Sequence, residues 1–116
     1  MKLRIKQYTQ DWHHTQRIIL VSDKGSVLVD IYTTPDDYGA RAFIWGLYVN
    51  MEHRQNGIGG QLLARAEEAA RKLGHNIVAL EWERPTPLWV YDWYVRRGYD
   101  EKEFGDGCSR LYKTLT

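Results

Sequence analysis

Cysteine is almost missing from this chain, with one residue, Cys108, among 116. A single thiol excludes an intrachain disulfide framework and fits a reducing compartment. An excess of charge of one sign is missing too: sixteen basic residues meet fifteen acidic ones, for a formal net charge of +1. No field of that size selects nucleic acid or an anionic membrane. The bases are also interleaved with acids, as in Arg65-Ala66-Glu67-Glu68, instead of gathered on one face. No apolar run approaches the roughly 18 residues of a membrane span. Met1-Lys2-Leu3-Arg4-Ile5-Lys6 begins like a secretory leader, but Gln7, Thr9, Gln10 and Asp11 deny it an apolar centre. Internal repeats and low-complexity tracts are lacking, and the length leaves no room for a second domain. The expectation is one domain over 1–116, cytoplasmic, with neither nucleic acid nor membrane as partner, burying about 65% of its extended surface.

What the chain does have is an organised centre. Phe43–Val49 is aromatic and β-branched, too short for a comfortable helix, and reads as a central strand. Beyond a polar turn, apolar residues recur at Ile58, Leu62, Leu63, Ala66, Ala69, Ala70 and Leu73, one face of a helix of about four turns. Gly57, Gly59 and Gly60 fall where that helix begins. Unpaired N–H groups at a helix start attract anions, and small residues let a phosphate reach them. The spacing is not that of a P-loop, because Gln61 follows Gly60 where Lys-Ser or Lys-Thr is required. It is not a dinucleotide fingerprint either, since nothing after Gly59 supplies the third glycine. Arg54, three residues before Gly57, offers a fork of donors to a pyrophosphate.

Leu3, Ile5 and Gln7 alternate with Lys2, Arg4 and Lys6 and predict a first strand; Thr9–Thr15 reads as a polar surface turn with Trp12 tucked down. Adjacent His13 and His14 on an extended chain point opposite ways and have no third ligand nearby, so no metal is expected. Arg17–Val21 and Ser26–Thr33, joined by Ser22-Asp23-Lys24-Gly25, form a β-hairpin, and Thr34–Gly39 breaks the chain before the central strand. Gly74 caps the long helix, and His75 is expected to be exposed. Ile77–Leu80 is a buried strand continued by Glu81, with Leu80 and Trp82 on the face opposite Glu81. Leu88–Arg97 is a short aromatic helix with Leu88, Tyr91, Tyr94 and Val95 on its packing side and Gly98 as its cap. Tyr99–Phe104 and Cys108–Leu115 flank Gly105-Asp106-Gly107 as a second hairpin.

Arg54-Gln55-Asn56-Gly57-Ile58-Gly59 resembles the acyl-CoA pyrophosphate loop of the GNAT N-acetyltransferase superfamily, Arg/Gln-x-x-Gly-x-Gly/Ala. Leu47-Tyr48-Val49-Asn50 is similar to that family's splayed strand, which offers backbone groups to pantetheine. Tyr94-Val95-Arg96-Arg97-Gly98-Tyr99 resembles its Tyr-x-x-x-Gly-Phe/Tyr signature, and Leu80-Glu81-Trp82 the Leu-Glu-Val strand of ribosomal-protein-type members. Together these motifs cover Phe43 to Leu115 in the family's order.

The resemblance implies an α+β GNAT fold: a mostly antiparallel sheet, a pyrophosphate-binding helix and a short C-terminal helix. The two helices that normally follow the first strand have no room in the seven residues Thr9–Thr15. It implies acetyl-CoA as cosubstrate, no metal, and direct acetyl transfer to a primary amine on a small molecule, a protein N-terminus or a lysine. Cofactor contacts carry over to Leu47, Tyr48, Val49, Arg54, Gln55, Asn56, Gly57, Ile58, Gly59 and Gly60, with the Val49 N–H at the thioester carbonyl. Tyr94 is implied as the acid for the departing thiolate, and Glu81 as the base, with Glu83 or a water relay as alternatives. Pro87 and Trp93 stand where the family often has Asn and Leu, so pantetheine contacts differ there. A non-catalytic acyl-CoA-binding module is the alternative function. A sheet face left bare by the missing helices, with Trp89 and Trp93 on one helical face, leads to the expectation of a homodimer.

Overall fold

The computed structural model describes residues 3–13, 15–54 and 56–115. Seven strands form one sheet: β1 (Lys6–Trp12), β2 (Thr15–Ser22), β3 (Gly25–Tyr32), β4 (Ala42–Val49), β5 (Ile77–Glu83), β6 (Asp100–Gly105) and β7 (Cys108–Thr114). Helix α1 (Ile58–Lys72) connects β4 to β5, and α2 (Leu88–Arg96) connects β5 to β6. The spatial order is β1-β2-β3-β4-β5-β7-β6, antiparallel everywhere except between β4 and β5. That one parallel pair is the pair that a helical crossover must join, as α1 does.

Alternation sorts the strand residues onto two faces. Ile18, Leu20, Val27, Val29, Ile31, Ala42, Ile44, Val78, Leu80 and Leu111 are buried with Ile58, Leu62, Leu63, Ala66, Ala69 and Ala70 of α1. Leu62 is wholly inaccessible, and burial of such a side chain is worth about 1.5–3 kcal/mol. Tyr94 of α2 and Tyr99 belong to the same core, so both helices serve one face. The other face carries a smaller cluster, Ala40, Phe43, Ala79 and Tyr112, edged by Tyr32, Trp45 and Ile77, and neither helix covers it.

The hairpins β2–β3 and β6–β7 form where the turn residues place them. Asp106 and Gly107 both adopt positive φ, 52° and 78°, the two-residue geometry that matches strand twist. Trp12 and Thr15 pair with each other, so β1 and β2 form a tight hairpin with no helices between them.

Several expectations fail. The first strand is not Leu3–Gln7: it runs from Lys6 to Trp12 and takes in most of the segment expected to be a turn. An edge strand meets solvent, so Thr9, Gln10 and Asp11 can belong to it without an apolar alternation. Leu3 instead enters the core, and its N–H donates to Gln61 Oε1 at 2.9 Å. Leu73 is 49% exposed, outside the buried helix face, because α1 ends at Lys72. His75 is half-buried, and desolvation followed by the nearby Arg41 charge lowers its pKa. On α2 the inward residue is Tyr94, while Leu88 and Val95 face out. Lys2, His14 and the Trp12 side chain lie outside the described residues.

Candidate functional site

The sheet opens where β4 and β5 part. Their ladder has three pairs, Ala42–Val78, Phe43–Ala79 and Ile44–Leu80. Past them, β4 pairs with β3 alone and β5 with β7 alone. A bulge accompanies the separation: Trp45 and Tyr48 of β4 oppose Leu28 and Ser26 of β3, one residue too many on β4, with Gly46 at φ 58°. Bulges bend a strand and end its pairing, and the φ is one that glycine adopts without strain. The inner edges of residues 45–49 and 81–83 therefore keep backbone groups that must find a partner. The Asn50 N–H turns toward β3, donating to the Lys24 carbonyl at 2.8 Å, so alternation puts the polar groups of Val49 on the opposite edge. The Val49 carbonyl accepts from Arg54 Nε at 3.1 Å.

From the end of β4 a single 3₁₀ turn, Met51–His53, leads to Arg54 and then to α1. Gly57 is the N-cap, left-handed at φ 77°. Among the described residues no side chain caps the helix, and no acidic residue stands in its first turn, so the leading N–H groups, among them those of Ile58, Gly59 and Gly60, are offered outward. Ile58 itself is buried in the core and anchors the turn. A Cβ on Gly59 would lie 3.6 Å from Val49 Cγ2 and 3.8 Å from the Trp93 ring, in ordinary contact. Gly59 thus sits at a mouth between β4 and α2, and its missing side chain keeps that mouth open. Gln55 lies outside the described residues; Asn56 is exposed beside the turn.

Tyr94 projects from α2 into the same side of the sheet. It is 9% exposed and meets Trp93 and Tyr99 edge to face, with ring centroids 5.4 and 5.9 Å away. Burial raises its pKa, which keeps the phenol protonated and fit to donate. Tyr99 is fixed in turn by its hydroxyl on Glu67 Oε2 at 2.7 Å, with Lys113 Nζ 3.2 Å from the same carboxylate. Trp93 packs within its own chain against Gly59 and beneath Arg97, whereas Trp89 is 65% exposed. The two tryptophans accordingly do not share one uncovered patch.

Glu81 and Glu83 project from the other face of β5, the one bare of helices. Arg110, directly opposite Glu81 on β7, places Nε at 3.0 Å and Nη2 at 2.7 Å from Glu81 Oε2. Both bonds go to one oxygen, and Oε1 has no partner among the described residues. Arg110 also lies over the Phe43 ring at 5.4 Å, and its pKa is raised first by the Glu81 hydrogen bond, against burial. Glu83 is exposed at the strand end. Trp45, the first β4 residue past the last ladder pair, shares this face and stacks on Phe43; its indole N–H is buried without a partner among the described residues.

Behind Arg110, the Tyr112 hydroxyl donates to Asp36 Oδ2 at 2.5 Å, and Asp36 Oδ1 accepts the N–H groups of Tyr38 and Ala40 at 3.0 and 2.9 Å. Burial pushes the Asp36 pKa up, but these bonds and the Arg110 charge outweigh it and hold it below the usual value. A depressed folded pKa gives stability that is present above about pH 4 and lost as pH falls through the folded value. Asp36→Asn is expected to lower Tm at pH 7 by roughly 4–8 °C, the equivalent of about 1 kcal/mol. It should also flatten the fall in Tm between pH 5 and pH 2; a mutant profile parallel to the parent's would refute the assignment.

The Asp36–Tyr112–Arg110 support escaped the sequence reading because nothing local reveals which β7 residue lies opposite Glu81. In the sequence Arg97 stands within the Tyr94–Tyr99 motif and, with Arg96 and Arg84, in a small positive spot open to an anionic substrate, with nothing to bring it to the start of α1. An open depression of about 640 Å³ lined by Leu3, Lys6, Tyr8, Val21 and Lys24 lies beside β1, away from the gap between β4 and β5.

A model of the Acetyltransferase (GNAT) family matches residues 3–99. An uncharacterized N-acetyltransferase of Methanocaldococcus jannaschii is 35% identical over 74 residues, 64% of this chain and 32% of that protein, so the match spans about a third of the relative's length. An acetyltransferase of Bacillus subtilis, solved in complex with CoA, superposes with a TM-score of 0.72 over 99% of this chain and 100% of its own, at 16% identity. The PaiA N-acetyltransferase of Thermoplasma acidophilum, solved in complex with coenzyme A, gives 0.68 over 85% and 60% at 20% identity. At those identities the likeness is one of fold.

Proposed function

The chain belongs to the GNAT acetyltransferase family, and on that premise we propose that it moves an acetyl group from acetyl-CoA directly to a primary amine. The observation that carries the reading is the gap between β4 and β5, which begins at Ile44 and Leu80 and leads to the uncapped first turn of α1. In this reading pantetheine lies along Leu47, Tyr48 and Val49, completing the strand edge that β5 abandons. The pyrophosphate takes the N–H groups of Gly57, Ile58, Gly59 and Gly60, with Asn56 beside them and Arg54 pairing from the β4 side.

The amine nitrogen attacks the thioester carbonyl carbon, and the Val49 N–H receives the developing oxyanion. Collapse breaks the C–S bond. The ammonium proton leaves to Glu81 Oε1, the oxygen that Arg110 does not hold, and the CoA thiolate takes the Tyr94 proton. Arg110 acts here as a positioning residue. Glu83, on the same face but exposed, is the alternative base, as is a water relay.

The bare face around Phe43, Trp45 and Tyr112 favours a second reading, a non-catalytic acyl-CoA-binding module, because no helices wall an acceptor there. Acetyl-CoA incubated with small amines, peptide N-termini and lysine peptides, with mass detection of products, separates the two. Acetylation of any class supports the enzyme, and CoA binding with no product supports the module.

We further read the protein as a cytoplasmic homodimer, supported by the lone cysteine, the uncovered sheet face, and the exposure of Leu88, Trp89 and Phe104 at 64%, 65% and 82%. Sedimentation equilibrium at micromolar concentration is expected to return twice the 13.7 kDa chain mass, and a monomer mass would refute it.

A further inference from the structure

A guanidinium group stands at the end of α1 where a cation is least favoured. The first helical turn carries the positive end of the helix dipole, and here it has no acidic residue and, among the described residues, no side-chain cap to offset it. Arg54 stands three residues before Gly57 at the end of β4, its Nε on the Val49 carbonyl at 3.1 Å and its guanidinium 5.9 Å from the Tyr48 ring centroid. Arg97, just past the last residue of α2, flanks the turn from the α2 side. Its guanidinium lies 4.3 Å from the Trp93 ring centroid, and its Nη2 would be 2.6 Å from a Cβ on Gly60. A side chain at position 60 would displace the guanidinium, the flexible end of Arg97, from that place. Arg17, Arg71 and Arg110 each pair with a carboxylate, whereas neither Arg54 nor Arg97 has one within ion-pair distance among the described residues. Stacking on Trp93 accounts for how Arg97 is held. It does not remove the repulsion from the dipole. An anion held at that turn would turn the repulsion into an attraction.

We propose that Arg97 is a further phosphate-binding residue, which closes on the pyrophosphate of acyl-CoA from the α2 side while Arg54 closes from the β4 side. The inference rests on the acyl-CoA reading above and names an additional ligand group for it. The guanidinium lies over Gly60, in the turn whose amides face outward, so its target is the pyrophosphate and not the 3′-phosphate of the adenosine. Its planar fork suits two phosphate oxygens at once. The contact would also tie the cofactor to α2, where Trp93 abuts Tyr94, the candidate acid.

The test compares CoA, 3′-dephospho-CoA and phosphate-free pantetheine, the first two by calorimetry and the last by competition, on the full chain and its Arg97→Ala and Arg97→Lys variants. Arg97→Ala is expected to weaken CoA and dephospho-CoA by the same factor, about tenfold, and to leave pantetheine unchanged. Arg97→Lys, which keeps the charge and loses the fork, should lose less. Unchanged CoA affinity in Arg97→Ala overturns the proposal. A loss for CoA alone would move Arg97 to the 3′-phosphate, and an equal loss for pantetheine would reduce it to packing of α2; either result overturns it as well. Failure of the unaltered chain to bind CoA would remove the acyl-CoA reading itself, and the inference with it.

Discussion

A Gly59→Ile protein is expected to remain folded and to bind CoA at least about 100-fold more weakly than the unaltered chain. The first half follows from the surroundings of Gly59. A Cβ there meets Val49 Cγ2 and the Trp93 ring at 3.6–3.8 Å, ordinary contact distances, and the position is helical with no positive φ. Glycine is a poor helix residue, so the substitution costs no helix propensity. The second half follows from where the added atoms go. They extend into the mouth between β4 and α2 and hold the phosphates away from the N–H groups of the first turn. Losing two charge-assisted hydrogen bonds at about 1.5 kcal/mol each gives roughly 3 kcal/mol, or about two decades in Kd. Gly59→Ala adds only the tolerated methyl and should lose far less. Calorimetry on both variants, with circular dichroism to verify the fold, reads the result. Undiminished affinity in a folded Gly59→Ile protein would remove the pyrophosphate from this turn.

How much of this was legible in the sequence differs from element to element. Helix α1 was legible because six apolar residues at spacings of three and four all turn inward, and its end was misjudged by one residue at Leu73. The hairpin around Asp106-Gly107 was legible because few residues tolerate its turn geometry. Strand β1 was not, since an edge strand with Thr9, Gln10 and Asp11 has no buried face to give it a period. The inward side of α2 was misread because its outer face is as apolar as its inner one, with Leu88 and Val95 in the open. At the site, the glycines and Arg54 announce themselves locally. Gly46, a glycine inside a strand, was the one local trace of the bulge that accompanies the splay. The Glu81–Arg110 pair depends on the β5–β7 register, and the Arg97 seat on the approach of α2 to α1, neither of which a local pattern encodes.

The second large effect concerns chemistry. Tyr94→Phe is expected to lower kcat by about 10²–10⁴ and leave the Kd for CoA within about twofold. The ring contacts with Trp93 and Tyr99 survive the substitution, so only the proton is lost. Burial holds the Tyr94 pKa above its ordinary value, so the phenol stays protonated across the assay range and should impose no limb of its own near neutrality. The acidic limb of the pH–rate profile belongs instead to the base. Glu81→Gln should abolish or shift that limb while Arg110 still has an oxygen to hold. Should Glu81→Gln be silent and Glu83→Gln change the limb, the base is Glu83. Unaltered turnover in Tyr94→Phe would remove that tyrosine from the mechanism.

The site itself can be tested without knowing the acceptor, by titrating CoA into ¹⁵N-labelled protein and following the backbone amides. The gap between β4 and β5 and the uncapped turn of α1 predict saturable shifts concentrated at Leu47–Val49 and at Gly57, Ile58, Gly59 and Gly60, with a smaller group on α2 around Trp93 and Tyr94. Shifts confined to the helix-free face around Phe43 and Tyr112, or no shifts at millimolar CoA, would contradict the account.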